Sequence, residues 1–375
     1  MRRLDSIDIL RALCIVGMFL CHFVIYTSRP GEGDFPEINF IADQIIGNWP
    51  AALFLFLSGA SFALSTQRQL AAGKSPTEVR NRGLRRGAIL FLVGLAFEAG
   101  VWSPSDVFDW DVLTTIATAL LLLPLLHRAP AWVFVTTAAV LCLAGPVLFS
   151  AWDGASMWEQ ADDFQPTAFT PRYILVGYLV AGYFPVIPWV GYALVGYAVG
   201  RRFLCGETHE GQRAHLAFAG AALMSLGLGL ALINAVFQPA AGLETFVSKF
   251  NFYPLSPSLF LFNMGLALST FALLHAAIDQ RPAERPFLGF FRVVSRYSLT
   301  LYVVHHILLV VPQRIAGVVL EGDQFAFVYS QEVIPPPISL GLAVLAVPVF
   351  FWLCRLWDRA KGRFSLEWFL ARLAG

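Results

Sequence analysis

The stretch Ile7–Tyr26 reads IDILRALCIVGMFLCHFVIY, twenty residues in which Asp8, Arg11 and His22 stand alone among apolar and small side chains. A helix rises about 1.5 Å per residue, so about 20 residues cross a hydrocarbon core about 30 Å thick. The run therefore reads as a membrane span. Asp8, Arg11, Ile15, Met18 and His22 are spaced 3, 4, 3 and 4, which puts them on one helix face. From Asp8 to His22 this stripe climbs 14 residues, or about 21 Å. Lipid would leave its polar groups unpaired, so the face is expected to look into a bundle or a wet cavity. Asp8 and Arg11 also suit an intrahelical ion pair at the cytoplasmic interface, and His22 suits either a structural hydrogen bond or proton chemistry.

The rest of the chain has the same character. Of its 375 residues 57% are apolar and 14% charged, against about 25% charged in soluble domains, and the mean hydropathy is +0.65. No long polar block interrupts the apolar segments, which excludes disordered, collagen-like and secreted disulfide-scaffold classes. The net charge of +1 gives no reason to expect a nucleic-acid partner. Four of the five cysteines, Cys14, Cys21, Cys142 and Cys354, sit in apolar runs and Cys205 in a short loop; no Cys/His metal spacing is present, and no metal is expected.

Ten segments fit the span length: Ile7–Tyr26, Ile45–Ser65, Gly83–Gly100, Val112–Leu126, Ala131–Phe149, Ile187–Gly200, Leu216–Phe237, Ser258–Ile278, Ser295–Val311 and Ile338–Leu356. With the N-terminus inside, 22 of the 26 basic residues fall in inner segments, leaving Arg29, Arg172, Lys249 and Arg314 outside. That is the bias of cytoplasmic loops. The expected fold is all-α, a polytopic membrane bundle of about ten helices in a single domain over residues 1–375, with both termini cytoplasmic. Charges at Asp5, Asp8 and Arg11 and the lack of a cleavage site make the first span a retained one rather than a signal peptide.

Outer loops are acidic and aromatic: Glu32, Asp34 and Glu37; Asp106, Asp109 and Asp111; Asp153, Glu159, Asp162 and Asp163. Within the loop 150–186, Tyr173–Tyr183 is apolar enough to re-enter the membrane edge, which calls for a cavity beneath it or an interfacial aromatic belt. Pro335, Pro336 and Pro337 suggest a stiff cap after the ninth span. In that span, Tyr302, His305 and His306 are related by three and four residues, and His305 reaches a depth at which it could meet His22 across the bundle. Consecutive helical residues point about 100° apart, so one of His305 and His306 is expected to be merely packed, and Cys21 cannot serve His22 as a nucleophile. Asn48, Ser58, Ser61 and Glu98 border the spans, while Asn234 and Asn263 suit helix-to-helix bonds. Gly83 with Gly87, and Gly196 with Gly200, make small faces for close packing. Arg80, Arg82, Arg85 and Arg86, at the inner mouth of the third span, either enforce topology or suit phosphates.

These motifs together resemble a known family. The opening RLDSIDILRALCIVGMFLCH is similar to the start of bacterial heparan-α-glucosaminide N-acetyltransferase-like membrane proteins of the transmembrane acyltransferase superfamily. PAALFLFLSGASFALS, RRGAILFLVGL, DVLTTIATALLLL, FPVIPWVGYALVGYAVGR, YPLSPSLFLFNMGLAL and SRYSLTLYVVHHILL follow in matching order. Ala12 departs from the Gly usual after the motif's Arg. The resemblance implies transfer of an acyl group, acetyl in the first instance, from cytoplasmic acyl-CoA to an amine or hydroxyl of an extracytoplasmic glycan or lipid-linked sugar. It implies a bacterial inner-membrane protein among lipids, with a homodimer allowed. His22 matches the family's catalytic histidine, and Tyr302 and His305 match the ninth-span motif. Arg82, Arg85 and Arg86, with Arg11 deeper, would hold cofactor phosphates; Tyr302, Ser58 or Asn48 would donate to an oxyanion. An acyl-histidine intermediate remains open, as does a different class, a proton-coupled carrier of a small anion or lipid-linked sugar with His22 and His305 as relay.

Overall fold

Segments surrounded by lipid must pair their backbone groups internally, which helices do. The computed structural model describes residues 3–27, 36–158, 170–204, 210–237, 239, 243–281, 285–322 and 335–374, and every regular element among them is helical. In order they are α1 (Asp5–Thr27), α2 (Pro36–Phe40) with a π-helical turn (Ile41–Gly47), α3 (Pro50–Ala71), and α4 (Pro76–Phe97) with a turn (Glu98–Trp102). Next come α5 (Val112–Leu125), α6 (Ala131–Ala151), α7 (Pro171–Val176) with a turn (Gly177–Ala181), α8 (Val186–Val199) and α9 (Glu210–Val236). The chain closes with α10 (Pro257–Leu274) and its turn (His275–Asp279), α11 (Leu288–Arg296), α12 (Ser298–Glu321), α13 (Pro336–Arg359) and α14 (Leu366–Leu373).

Among the described residues, eight segments are long and apolar enough to cross a membrane, and α7 with α8 makes a ninth, bent by 44°. The protein is a polytopic integral membrane helix bundle. The tenth segment expected from the sequence is α4, which has the length of a span but begins with the arginine run. Two boundaries move. Residues 41–47 form their own turn, so α3 starts at Pro50, where proline suits a first helical turn. Helix α12 continues through Pro312 to Glu321, absorbing part of the expected cap, and Pro335 and Pro336 open α13. Helices α11 and α14 are additional; both are amphipathic and too short for the span ruler. Arg29, Glu32, Asp34, Glu159, Asp162, Asp163 and Cys205 lie outside the described residues.

The core lies where α1, α3, α5, α8 and α10 converge, with Leu55, Leu57, Leu113, Trp189 and Tyr192 fully buried. Since lipid is as apolar as leucine, close packing rather than water exclusion holds spans together. Helices α3 and α8 illustrate it: a Cβ at Gly59 would overlap the carbonyl of Ala193, and one at Gly196 would overlap that of Phe56. Gly87 seats Leu121 of α5 in the same way. Outward faces of α6, α9, α12 and α13 display Trp132, Phe218, Val319 and Leu345, as lipid-facing helices should.

One end of the bundle gathers polar partners from distant segments. Arg292 forks onto Asp5 at 2.6 and 2.8 Å. Asp279 accepts the Asp5 and Ser6 amides at 2.8 and 3.2 Å and holds His275 Nδ1 at 2.8 Å. Arg296 pairs with Asp358, and Glu367 caps α12 through the amide of Leu299 at 2.7 Å. Arg201 donates to the carbonyls of His127 and Ala129 at 2.9 and 2.7 Å. Segments that the charge pattern assigns to one side of the membrane thus share one end, called here the basic end.

Candidate active site

Toward the opposite end, the polar stripe of α1 faces the bundle along its whole length. Asp8 does not pair with Arg11 as the spacing suggests. It holds Arg3 at 2.5 Å and accepts from Ser295 Oγ at 2.7 Å, because α11 packs across the first turns of α1. Arg11 bonds Ser61 and, at 3.3 Å, Ser295. Higher up, Met18 and His22 line a cavity of about 1320 Å³.

His22 Nδ1 lies 3.0 Å from His305 Nε2, with the two rings stacked at 10°. The other nitrogen of His305 meets the Leu301 carbonyl at 2.9 Å. A carbonyl can only accept, so His305 Nδ1 carries the proton and, in the neutral ring, its Nε2 is a lone pair. His22 Nδ1–H must then donate to it, which leaves a lone pair at His22 Nε2. His306 obeys the same logic, its Nδ1 donating to the Tyr302 carbonyl at 2.9 Å. Only one member of the doublet enters the cavity, as the helical geometry suggests, but the other is more than packing: both rings adjoin His22, with centroids 5.2 and 4.7 Å away. The ring of His22 sits between the directions in which the two side chains leave α12. His306 lines the cavity whereas His305 stands behind His22.

Tyr302 also lines the cavity, but its hydroxyl donates to Asp111 Oδ2. Asp111 in turn caps α5, its Oδ1 accepting the Leu113 amide at 2.8 Å. The other candidate oxyanion donors are likewise committed: Ser58 Oγ to the Leu55 carbonyl at 2.7 Å, and Asn48 Nδ2 to the Gln44 carbonyl at 2.8 Å and Gln44 Oε1 at 3.2 Å.

Among the described residues, five carboxylates line the cavity, Asp43, Glu98, Asp106, Asp109 and Asp111, against the cations Lys249 and Arg314. Aromatic rings supply much of the remaining wall. Trp158 stacks on Tyr253 at 5.7 Å, and Tyr183 meets Tyr253 edge-on at 5.1 Å. Trp158 is fixed by its Nε1 donating to the Ala181 carbonyl at 2.7 Å. Of the apolar stretch 173–183, Tyr183 lines the cavity and the Ala181 carbonyl anchors Trp158.

None of Arg11, Arg82, Arg85 and Arg86 lines this cavity. Arg82 is half-buried and reaches Gln69 at 3.5 Å; Arg85 and Arg86 are exposed on α4. The cavity floor includes Met18, and Arg11 precedes His22 by 11 positions along α1, about 16 Å. Ile15 and its neighbours in that interval belong to the packed core. A continuous route from the arginines to the imidazole is expected from the sequence; in this conformation the cavity does not supply it.

In the sequence Asp111 appears as a loop acid and as the first residue of DVLTTIATALLLL, and Tyr253 as the first residue of YPLSPSLFLFNMGLAL, but neither is marked as a site residue and Trp158 does not stand out at all. An Asp immediately before the apolar run Val112–Leu125 is a helix-start signal, and it fixes a carboxylate at the head of a span. The aromatic pair carries no comparable signal, since loop tyrosines and tryptophans most often mark the membrane interface.

Residues 3–239 match the sequence profile of the family described as heparan-alpha-glucosaminide N-acetyltransferase, catalytic. The chain belongs to this family. It is therefore a membrane acyltransferase by descent, with His22 inside the matched stretch and Tyr302, His305 and His306 beyond it, brought to the same place by α12. Comparison with curated proteins returns no match. For a member of the N-acetyltransferase family, the geometry supplies an oriented neutral imidazole, an acidic chamber and aromatic walls.

Proposed function

We propose that the protein moves an acyl group, acetyl in the first instance, from cytoplasmic acyl-CoA to an amine or hydroxyl of an extracytoplasmic glycan-like acceptor, with His22 as general base. The observation that carries this reading is the bare His22 Nε2 at the wall of a large cavity, its tautomer set by His305. The acceptor nitrogen or oxygen attacks the thioester carbonyl and its proton passes to His22 Nε2. The C–S bond then breaks, and the proton leaves with the thiolate. His305 takes the hydrogen bond from Nδ1 throughout, so the imidazolium formed in transit stays partnered. Tyr302 is a positioning residue that secures Asp111.

The chamber suits the acceptor. Carboxylates favour an amine that arrives as ammonium, and flat aromatic faces suit the C–H faces of a sugar ring; an ammonium gives up one proton to cavity water before it attacks. The donor comes from the basic end, where Arg82, Arg85 and Arg86 suit its phosphates and Arg11 lies deeper along α1. Its arm reaches His22 only when the floor parts, and Met18, unbranched and flexible, is the side chain that must move. The charge bias supports both termini inside, and the family resemblance supports a bacterial inner membrane.

The test is release of CoA thiol by protein reconstituted in liposomes, with acyl-CoA outside or inside and an amino-sugar acceptor on the other face. His22→Ala is expected to lower turnover by about 10²–10⁴-fold. Undiminished turnover would remove His22 from the chemistry. Movement of sugar or anion across the bilayer without acyl-CoA would favour the carrier instead.

A further inference from the structure

The transfer chemistry uses His22 and His305 but has no task for His306. We propose that His22, His305 and His306 form a three-nitrogen site for a borderline divalent cation of the zinc class, and that its occupation reversibly silences the transferase. The ligating nitrogens lie within 4.8 Å of one another. Tetrahedral zinc with bonds of about 2.0 Å sets its ligand nitrogens about 3.3 Å apart. The His22 Nδ1 to His305 Nε2 separation of 3.0 Å is already close to that edge, and the third nitrogen, within 4.8 Å of both, has about 1.5 Å at most to close. Both α12 histidines donate Nδ1–H to carbonyls, Leu301 and Tyr302. Such outer-shell bonds turn the opposite nitrogen toward a metal and raise its basicity. The fourth position opens on the cavity, whose carboxylates outnumber its cations among the described residues and so concentrate a dication there.

Silencing follows from the tautomer, and this part rests on His22 being the general base. Metal at His22 Nδ1 displaces the proton held there, and in the neutral ring that proton resides on Nε2. The lone pair that receives the acceptor's proton is then gone, and a chelator restores it by removing the ion.

The test uses the full-length protein in detergent, titrated with Co²⁺ as a spectroscopic probe and Zn²⁺ as competitor. One Co²⁺ per chain with a visible ligand-field band is expected, displaced by Zn²⁺. His306→Gln should weaken binding about tenfold or more, and raise by the same factor the Zn²⁺ concentration that halves turnover, read against the variant's own metal-free rate. A Zn²⁺-induced rise in Tm of the parent, absent in His306→Gln, is an independent readout that does not depend on turnover. No band, or a band lost in Cys21→Ser but kept in His306→Gln, overturns the site. A band of the expected kind with turnover untouched by Zn²⁺ keeps the site, overturns the silencing, and counts against His22 as base.

Discussion

The two ends of the bundle use the same kinds of side chain in opposite ways. At the basic end the charges are consumed: Asp5, Asp8, Asp279, Asp358 and Glu367 each hold an arginine, a hydroxyl or a helix amide from another segment. At the His22 end the carboxylates and imidazoles line a chamber large enough for a sugar. Groups buried against each other contribute to stability, whereas groups that also border a chamber can meet a ligand even where, like Asp111 and Asp106, they accept from a neighbouring hydroxyl. By this contrast the basic end secures α1 against α10 and α11, and the other end is built for the chemistry. Substitutions at the two ends should therefore separate stability from activity.

The largest effect after His22→Ala is expected at its partner. His305→Leu keeps the volume but removes the acceptor for His22 Nδ1–H, so turnover should fall about 10²-fold, in the range of general-base contributions, with KM nearly unchanged. A rate within twofold of the parent would mean that the tautomer is set elsewhere. On the basic end, Asp279→Ala removes a carboxylate that holds the Asp5 and Ser6 amides, the Ser6 hydroxyl and His275. Hydrogen bonds to a charged group contribute about 1.5–3 kcal/mol each, and the loss should cost about 3 kcal/mol overall as neighbours relax. Thermal unfolding in detergent should show a clear drop in Tm while the rate per folded molecule stays near that of the parent. A selective loss of rate would break the division between the ends. The smallest effect is expected at the chamber wall. Asp106→Asn should raise KM for a cationic acceptor a few-fold, in line with about 1 kcal/mol for a charge still screened by water, and leave a neutral hydroxyl acceptor unaffected; equal shifts for both would remove charge selection.

Much of this contrast is legible in the amino-acid order alone. Each span satisfies its own backbone, so length and hydropathy locate it without knowledge of its neighbours, and the stripe from Asp8 to His22 needs only the helical repeat. The meeting of His22 with His305 is within reach because two spans crossing in opposite directions can be compared by depth. What the sequence conceals is pairing between segments that share no local pattern. Asp111 and Tyr302 are 191 residues apart, and neither announces the other. Asp8 prefers Arg3 and Ser295 to Arg11 because of α11, a helix of nine residues that a ruler for spans passes over as loop. The closed floor beneath His22 is hidden for a further reason: whether Ile15 and Met18 pack shut depends on the surfaces of several helices at once.

The glycine interlock between α3 and α8 restricts how that floor can open. Where two main chains touch without side chains between them, neither can slide without breaking the fit, so this pair behaves as a fixed wall. Helix α1 meets α13 differently, through Phe19 laid against Phe350 with centroids 4.6 Å apart, and aromatic rings can swing aside at the cost of a rotamer. The α3–α8 pair thus belongs to the frame of the bundle, and the α1–α13 contact, made by rings that can turn, is the more yielding of the two.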